Sequence, residues 1–168
     1  MIKVVLVEPE IPFNTGSIGR TCVALGLELI LIQPYGFSLD DKTVARSGTR
    51  YWQFVQLSEY ASWQDFLEKR KPAHNELFLF EEDAETSFYT PDYPENAYLV
   101  FGKESSGLPM ALREKLRDRM FHVPMRDERV KSLEGFDARQ LTRGECLNLC
   151  RDECCATYEQ CTYTIPGV

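Results

Sequence analysis

The sequence predicts a single α/β domain, residues 1–168, built on a mostly parallel sheet with helices on both faces. Three observations carry that prediction. Short apolar runs such as Ile2–Val7 and Leu77–Phe80 recur along the chain, the pattern of strands buried on both sides. Segments with apolar residues at helical spacing lie between them. The chain has 168 residues, enough for one sizeable core.

The elements follow in order. Ile2 to Val7 reads as a buried strand, and Glu8-Pro9-Glu10-Ile11-Pro12 breaks it. Asn14 sits where a helix N-cap is wanted. Ile18, Cys22 and Leu25 follow at helical spacing, and Gly26 is the stop signal. Leu27 to Ile32 is a second apolar run ending at Pro34, so strand, helix and strand form a βαβ unit with parallel strands. Ser38-Leu39-Asp40-Asp41-Lys42 opens a short helix through Arg46, and Tyr51 to Leu57 is a strand candidate. Ser62-Trp63-Gln64-Asp65 has a Ser cap with an acid three residues later, and Lys69-Arg70-Lys71 suits the helix end. Leu77 to Phe80 and Ala97 to Phe101 are strands, the second closed by Gly102. The acidic stretch between them, residues 81 to 95, reads as a solvated loop. Pro109 opens a helix to about Leu116, Met120 to Val123 is a last strand, and a terminal helix is expected from about Cys146 to Gln160.

Composition narrows the function classes. With 19 Lys+Arg against 26 Asp+Glu the formal charge is −7, so nucleic acid is not held by bulk charge, and a nucleic-acid role needs a local basic patch. No apolar run approaches the roughly 20 residues of a membrane-spanning helix, and the opening segment reads as a strand rather than a secretory signal. The expected location is cytoplasmic. Five of the six cysteines fall at or after Cys146. Cys146, Cys150 and Cys154 share a helical spacing, which favours buried or unpaired thiols over a disulfide framework or paired zinc knuckles. No metal is expected.

Ligands of parallel sheets sit beyond the carboxyl ends of the strands, where three loops fall: 8 to 16, 102 to 108, and 124 onward. Asn14-Thr15-Gly16 reads as helix capping or as an anion cradle. Gly102-Lys103-Glu104-Ser105-Ser106-Gly107 is a turn in which backbone can approach a ligand closely. A Walker motif is absent, and no GxGxxG follows the first strand, which argues against nucleotide hydrolysis and dinucleotide binding.

Together these loops resemble a known family. Pro9-Glu10-Ile11-Pro12-Phe13-Asn14-Thr15-Gly16-Ser17-Ile18-Gly19-Arg20 resembles the first motif of the SPOUT-class RNA 2′-O-methyltransferases. Phe101-Gly102-Lys103-Glu104-Ser105-Ser106-Gly107-Leu108 resembles the second, and Val123-Pro124-Met125 followed by Ser132-Leu133 the beginning of the third. Within that class the chain is most similar to the small tRNA (cytidine/uridine-2′-O-)-methyltransferases that act at the wobble position of leucine tRNAs. The likeness runs from residue 1 to about 133 and includes Gln33-Pro34-Tyr35-Gly36-Phe37 and Asp40-Asp41-Lys42.

The resemblance implies a C-terminal trefoil knot, a homodimer, and S-adenosylmethionine held by Phe80, Gly102, Glu104, Val123 and Ser132. It implies Asn14 and Arg20 as the site pair, with Arg20 the catalytic residue. Arg20, Lys42, Arg46 and Arg50 form the basic strip expected to meet the anticodon stem-loop of a tRNA. Tyr51 and Trp52 are candidates either for stacking an unpaired base or for packing. The third motif departs from the family: Glu134-Gly135-Phe136 follows Ser132-Leu133, and Cys146-Leu147-Asn148-Leu149-Cys150 is a second partial match. Ser132 and Asn148 are thus rival candidates for its polar groups. The divergent stretch 134–168 leaves open a second reading, a non-catalytic RNA-binding relative.

Overall fold

The computed structural model describes residues 1–39 and 49–124. Among the described residues, seven strands form one sheet: β1 (Lys3–Val7), β2 (Glu28–Ile32), β3 (Gln56–Tyr60), β4 (Leu77–Phe80), β5 (Thr86–Ser87), β6 (Tyr98–Phe101) and β7 (Met120–His122). Their spatial order is β3, β2, β1, β6, β4, β7, β5, and every pairing between them is parallel. The helices are α1 (Pro12–Leu25), α2 (Trp63–Arg70) and α3 (Met110–Lys115).

The apolar runs are continuous because both faces of the sheet are buried. Val4, Leu6, Leu29, Leu31, Phe78, Phe80, Leu99 and Phe101 pack with Ile18 and Cys22 of α1 on one face. Val5, Val7, Ile30, Ile32, Leu79 and Val100 pack with Phe66 of α2 and Leu112 of α3 on the other. Each fully buried Leu, Ile or Phe contributes about 1.5–3 kcal/mol, so the sheet centre is the main source of stability among the described residues.

Several local expectations hold. Gly26 ends α1 in the left-handed conformation. The Ser62 side chain caps α2 by accepting the Asp65 N–H at 3.1 Å. Three expectations are corrected. Asn14 does not cap α1. The helix begins at Pro12, whose ring presets the first-turn φ, and Asn14 lies buried inside it. The stretch from Tyr51 is not a strand: Thr49–Phe54 forms a 3-10 turn and the strand runs from Gln56 to Tyr60. Trp52 packs against α1 at Gly19, and this tertiary contact overrides the β preference of an aromatic run. The acidic loop is not wholly solvated: Glu81 is 4% exposed, and Thr86–Ser87 pairs with β7. The helix expected to run to Arg46, the terminal helix from Cys146 and the knot lie outside the described residues.

Candidate active site

Parallel pairing brings four strand ends to one edge. Leu6 is in register with Phe101, and Phe80 with both Phe101 and Phe121. The segments that leave β1, β6, β4 and β7 therefore emerge side by side. Phe80, Gly102 and Val123, three of the expected cofactor residues, sit at adjacent ends and are all buried. The Phe80 ring stacks on Phe101 at 4.8 Å.

The first and second loops are clasped by two carboxylates, each accepting backbone N–H groups of the opposite loop. Glu104 accepts the Glu10 N–H at 2.8 Å, the Ile11 N–H at 3.3 Å and the Asn14 Nδ2–H at 3.0 Å. Glu10 in turn accepts the Ser105 N–H at 3.0 Å and the Ser105 hydroxyl at 2.9 Å. Hydrogen bonds to an ionised group are about twice as strong as neutral ones. Glu104 thus fixes the chain just ahead of α1, whose own first turn needs less capping because Pro12 has no N–H. The backbone N–H groups of Asn14 and Thr15 bond to the Ile11 carbonyl at 3.1 and 3.2 Å, so the anion cradle read from Asn14-Thr15-Gly16 is not present. Beside the clasp, Glu8 takes a left-handed φ of 53°, at a cost of about 1–2 kcal/mol, and accepts Lys103 Nζ at 3.1 Å.

The turn after β6 is closed backbone to backbone. Lys103 and Gly107 exchange two hydrogen bonds, at 3.2 and 2.9 Å. A Cβ at Gly102 would stand 2.0 Å from the Gly107 carbonyl carbon and 2.2 Å from the Leu108 nitrogen. No side chain can occupy that position without opening the turn. Gly107 has φ +68° and rests on the Glu81 carboxylate, which accepts the Leu108 N–H. Burial pushes the Glu81 carboxyl above the usual carboxylate range, while the Leu108 N–H and Arg113 pull the other way. A cavity of about 260 Å³ lies here, with Glu81, Asp83, Ser105, Gly107 and Arg113 in its lining. A larger hollow of about 470 Å³ between α2 and α3 includes Glu8 in its wall but none of residues 102–108.

The remaining expected residues are placed as follows. Arg20 is exposed on α1 and forms no hydrogen bond or ion pair with the described residues. The backbone of Arg50 belongs to the 3-10 turn packed on that helix. Lys42, Arg46 and Ser132 lie outside the described residues. The fold thus joins Asn14 to Glu104 and aligns Phe80, Gly102 and Val123, whereas Arg20 makes no contact with these groups through a hydrogen bond. Glu8, Glu10, Glu81 and Ser105 were not singled out from sequence for any role. Glu10 and Ser105 stood within the two motifs, and Glu81 carried no signal beyond its place after a strand.

A model of the SpoU rRNA methylase family matches residues 1–134. The chain belongs to that family. A Bacillus subtilis (strain 168) relative, provisionally named a tRNA (cytidine(34)-2′-O)-methyltransferase, is 43% identical over 133 residues, covering 79% of this chain and 82% of its own. A solved structure from work on the 2-OH methylation of C/U34 on tRNA is 38% identical with a TM-score of 0.71, covering 76% of this chain and 82% of that one. The AdoMet-bound rRNA methyltransferase from Sinorhizobium meliloti, at 19% identity, shares the fold with a TM-score of 0.76, covering 90% of this chain and 56% of its own. The matched stretch includes both loops that the clasp joins.

Proposed function

We propose that this SpoU-family chain is a cytoplasmic, S-adenosylmethionine-dependent tRNA methyltransferase. It transfers a methyl group to the ribose 2′-hydroxyl of the wobble nucleotide, cytidine or modified uridine, of leucine tRNAs. The observation that carries the reading is the clasp: Glu104 and Glu10 fasten the first two motifs into one edge, in a chain whose relatives are named for position 34.

The residues present fit the cofactor. The packed Gly102 turn brings peptide groups, rather than side chains, to the strand ends beside Phe80 and Val123. The adjoining cavity carries the carboxylates of Glu81, Glu82 and Asp83 together with Arg113, suiting a ligand with cationic and carboxylate ends. Phe80, Gly102, Glu104, Val123 and Ser132 are the proposed holding residues. When bound, S-adenosylmethionine supplies a methyl group on a good leaving group.

The chain's own task is then alignment and management of the hydroxyl proton. Guanidinium groups stay protonated and are poor general bases. The role proposed for Arg20 is to orient the hydroxyl and an adjacent phosphate, and to stabilise negative charge developing on oxygen. Its exposure leaves it open to such a substrate. Asn14, tied to Glu104, fixes the start of the helix that carries it. Lys42, Arg46 and Arg50 complete a local basic strip for the anticodon stem-loop, which makes binding sharply salt-dependent. A homodimer is part of the reading. Phe13, Tyr51 and Phe54, 49–64% exposed on α1 and the turn packed against it, are the apolar surface offered to the second copy.

Ribose-methylation mapping of total tRNA from cells with and without the protein tests the function. Loss of 2′-O-methylation at position 34 of leucine tRNAs is the expected result, and an unchanged map refutes it. Calorimetry with S-adenosylmethionine separates this reading from a non-catalytic RNA-binding relative, which would not bind at millimolar cofactor. Arg20→Ala should lower turnover by about 100-fold or more, and near-normal turnover in both Arg20→Ala and Arg20→Lys would remove Arg20 from the mechanism.

A further inference from the structure

The first two loops hold each other, but no bond of that clasp reaches the far end of the second loop, residues 107 and 108. That end is held from β4. Glu81 follows Phe80 directly, and its backbone N–H donates to the Phe121 carbonyl at 3.0 Å. The residue is thereby anchored between β4 and β7, and its side chain is 4% exposed. The carboxylate reaches across to the β6 loop and accepts the Leu108 N–H. Both of its oxygens also lie against Gly107: a Cβ there would stand 2.7 Å from Oε2 and 2.8 Å from Oε1. Gly107 and Leu108 are in turn the atoms on which Gly102 rests. A chain of contacts thus runs from Glu81 through the Gly107–Leu108 peptide to Gly102.

We infer that Glu81 is a positioning residue for the cofactor turn: its buried carboxylate holds the Gly107–Leu108 peptide and so sets where Gly102 presents its backbone. Burying a carboxylate is costly unless it is hydrogen-bonded, so a merely space-filling position is better served by an apolar side chain. The charged groups acting on Glu81 are Arg113 from α3 and Glu82 and Asp83 from its own loop. Arg113 is itself paired with Asp83, which leaves the Leu108 N–H as the direct hydrogen-bond partner of the Glu81 carboxylate among the described residues. The inference about the cofactor rests on the function proposed above. The latch itself does not.

Two substitutions separate the acceptor from the volume. Glu81→Met keeps length and suits a buried site, but removes the oxygen acceptor. Glu81→Gln keeps a neutral acceptor. Two readouts apply to the full chain: amide hydrogen exchange at Leu108 without cofactor, and the Kd for S-adenosylmethionine by calorimetry. Glu81→Met should speed Leu108 exchange at least ten-fold and weaken cofactor binding at least ten-fold, whereas Glu81→Gln stays within about three-fold of the parent in both. Unchanged exchange in Glu81→Met, or a Glu81→Gln variant as impaired as Glu81→Met, overturns the latch. Faster exchange with unchanged Kd overturns the positioning role and leaves a structural hydrogen bond. If the parent itself binds no S-adenosylmethionine, the proposed function fails, while the exchange result still decides whether Glu81 holds the turn.

Discussion

The two edges of the sheet use the same residue types for different ends. At the amino edge, carboxylates pair with cationic side chains, and cations also cover rings or donate to backbone carbonyls, as Arg119 does to Leu77. Arg70 pairs with Glu28, His74 with Asp118 at 2.6 Å, and Lys3 lies 4.5 Å over the Tyr98 ring. Many of these groups are exposed; the His74 and Asp118 side chains are 58% and 66% open. Such pairs contribute about 0–1 kcal/mol and are screened by salt. At the carboxyl edge, Glu10, Glu81 and Glu104 accept backbone N–H groups of a neighbouring loop. A carboxylate that accepts backbone donors dictates the path of the chain. The same charge spent on a lysine or histidine side chain leaves the path unchanged.

The sharpest way to break this contrast is Glu104→Ala. It strands three donors of the first loop, so a loss of about 2–3 kcal/mol is expected in urea denaturation, together with loss of methyl transfer. Gly102→Ala comes next. Its Cβ would press on backbone atoms that cannot rotate away, for an expected cost of about 1–3 kcal/mol and weakened cofactor binding by calorimetry.

A smaller effect is expected at Glu81, with a defined pH dependence. Burial raises this carboxyl above its ordinary range, so the folded chain holds the proton more tightly than the unfolded one. Folding stability attached to it is therefore lost as pH rises from the unfolded value, about 4.3, through the folded one. Glu81→Gln has no proton to lose. It should melt above the parent at neutral pH, with the gap closing at about pH 4 and below. Thermal melts across this range check it, and a gap independent of pH counts against it. The smallest effect belongs to the other edge: Asp118→Ala should change stability by less than about 1 kcal/mol and leave methyl transfer unaltered.

The sheet was legible in the sequence because its strands are buried on both faces and write themselves as unbroken apolar runs. Helix ends with local chemistry, Ser62 and Gly26, were legible because the signal and its partner lie within a few residues. What failed was decided across the chain. Asn14 looks like a cap until Glu104, 90 residues away, takes its side-chain amide. Tyr51–Phe54 looks extended until Trp52 finds Gly19. Glu81 looks like one acid among six until Leu108 reaches it. The site residues Asn14, Gly102 and Glu104 came from motif likeness rather than from periodicity, and the clasp gives Asn14 and Glu104 a physical connection that periodicity could not show.

The clasp has a consequence for the nascent chain. The Glu10 N–H and the Glu104 carboxylate are separated by 94 positions, so the first loop reaches its final course only after six strands have been synthesised. Contacts of such long range form late and open early. A ribosome-bound intermediate stalled before Glu104 should therefore contain β1 and β2 side by side while proteases still cut between Glu8 and Pro12.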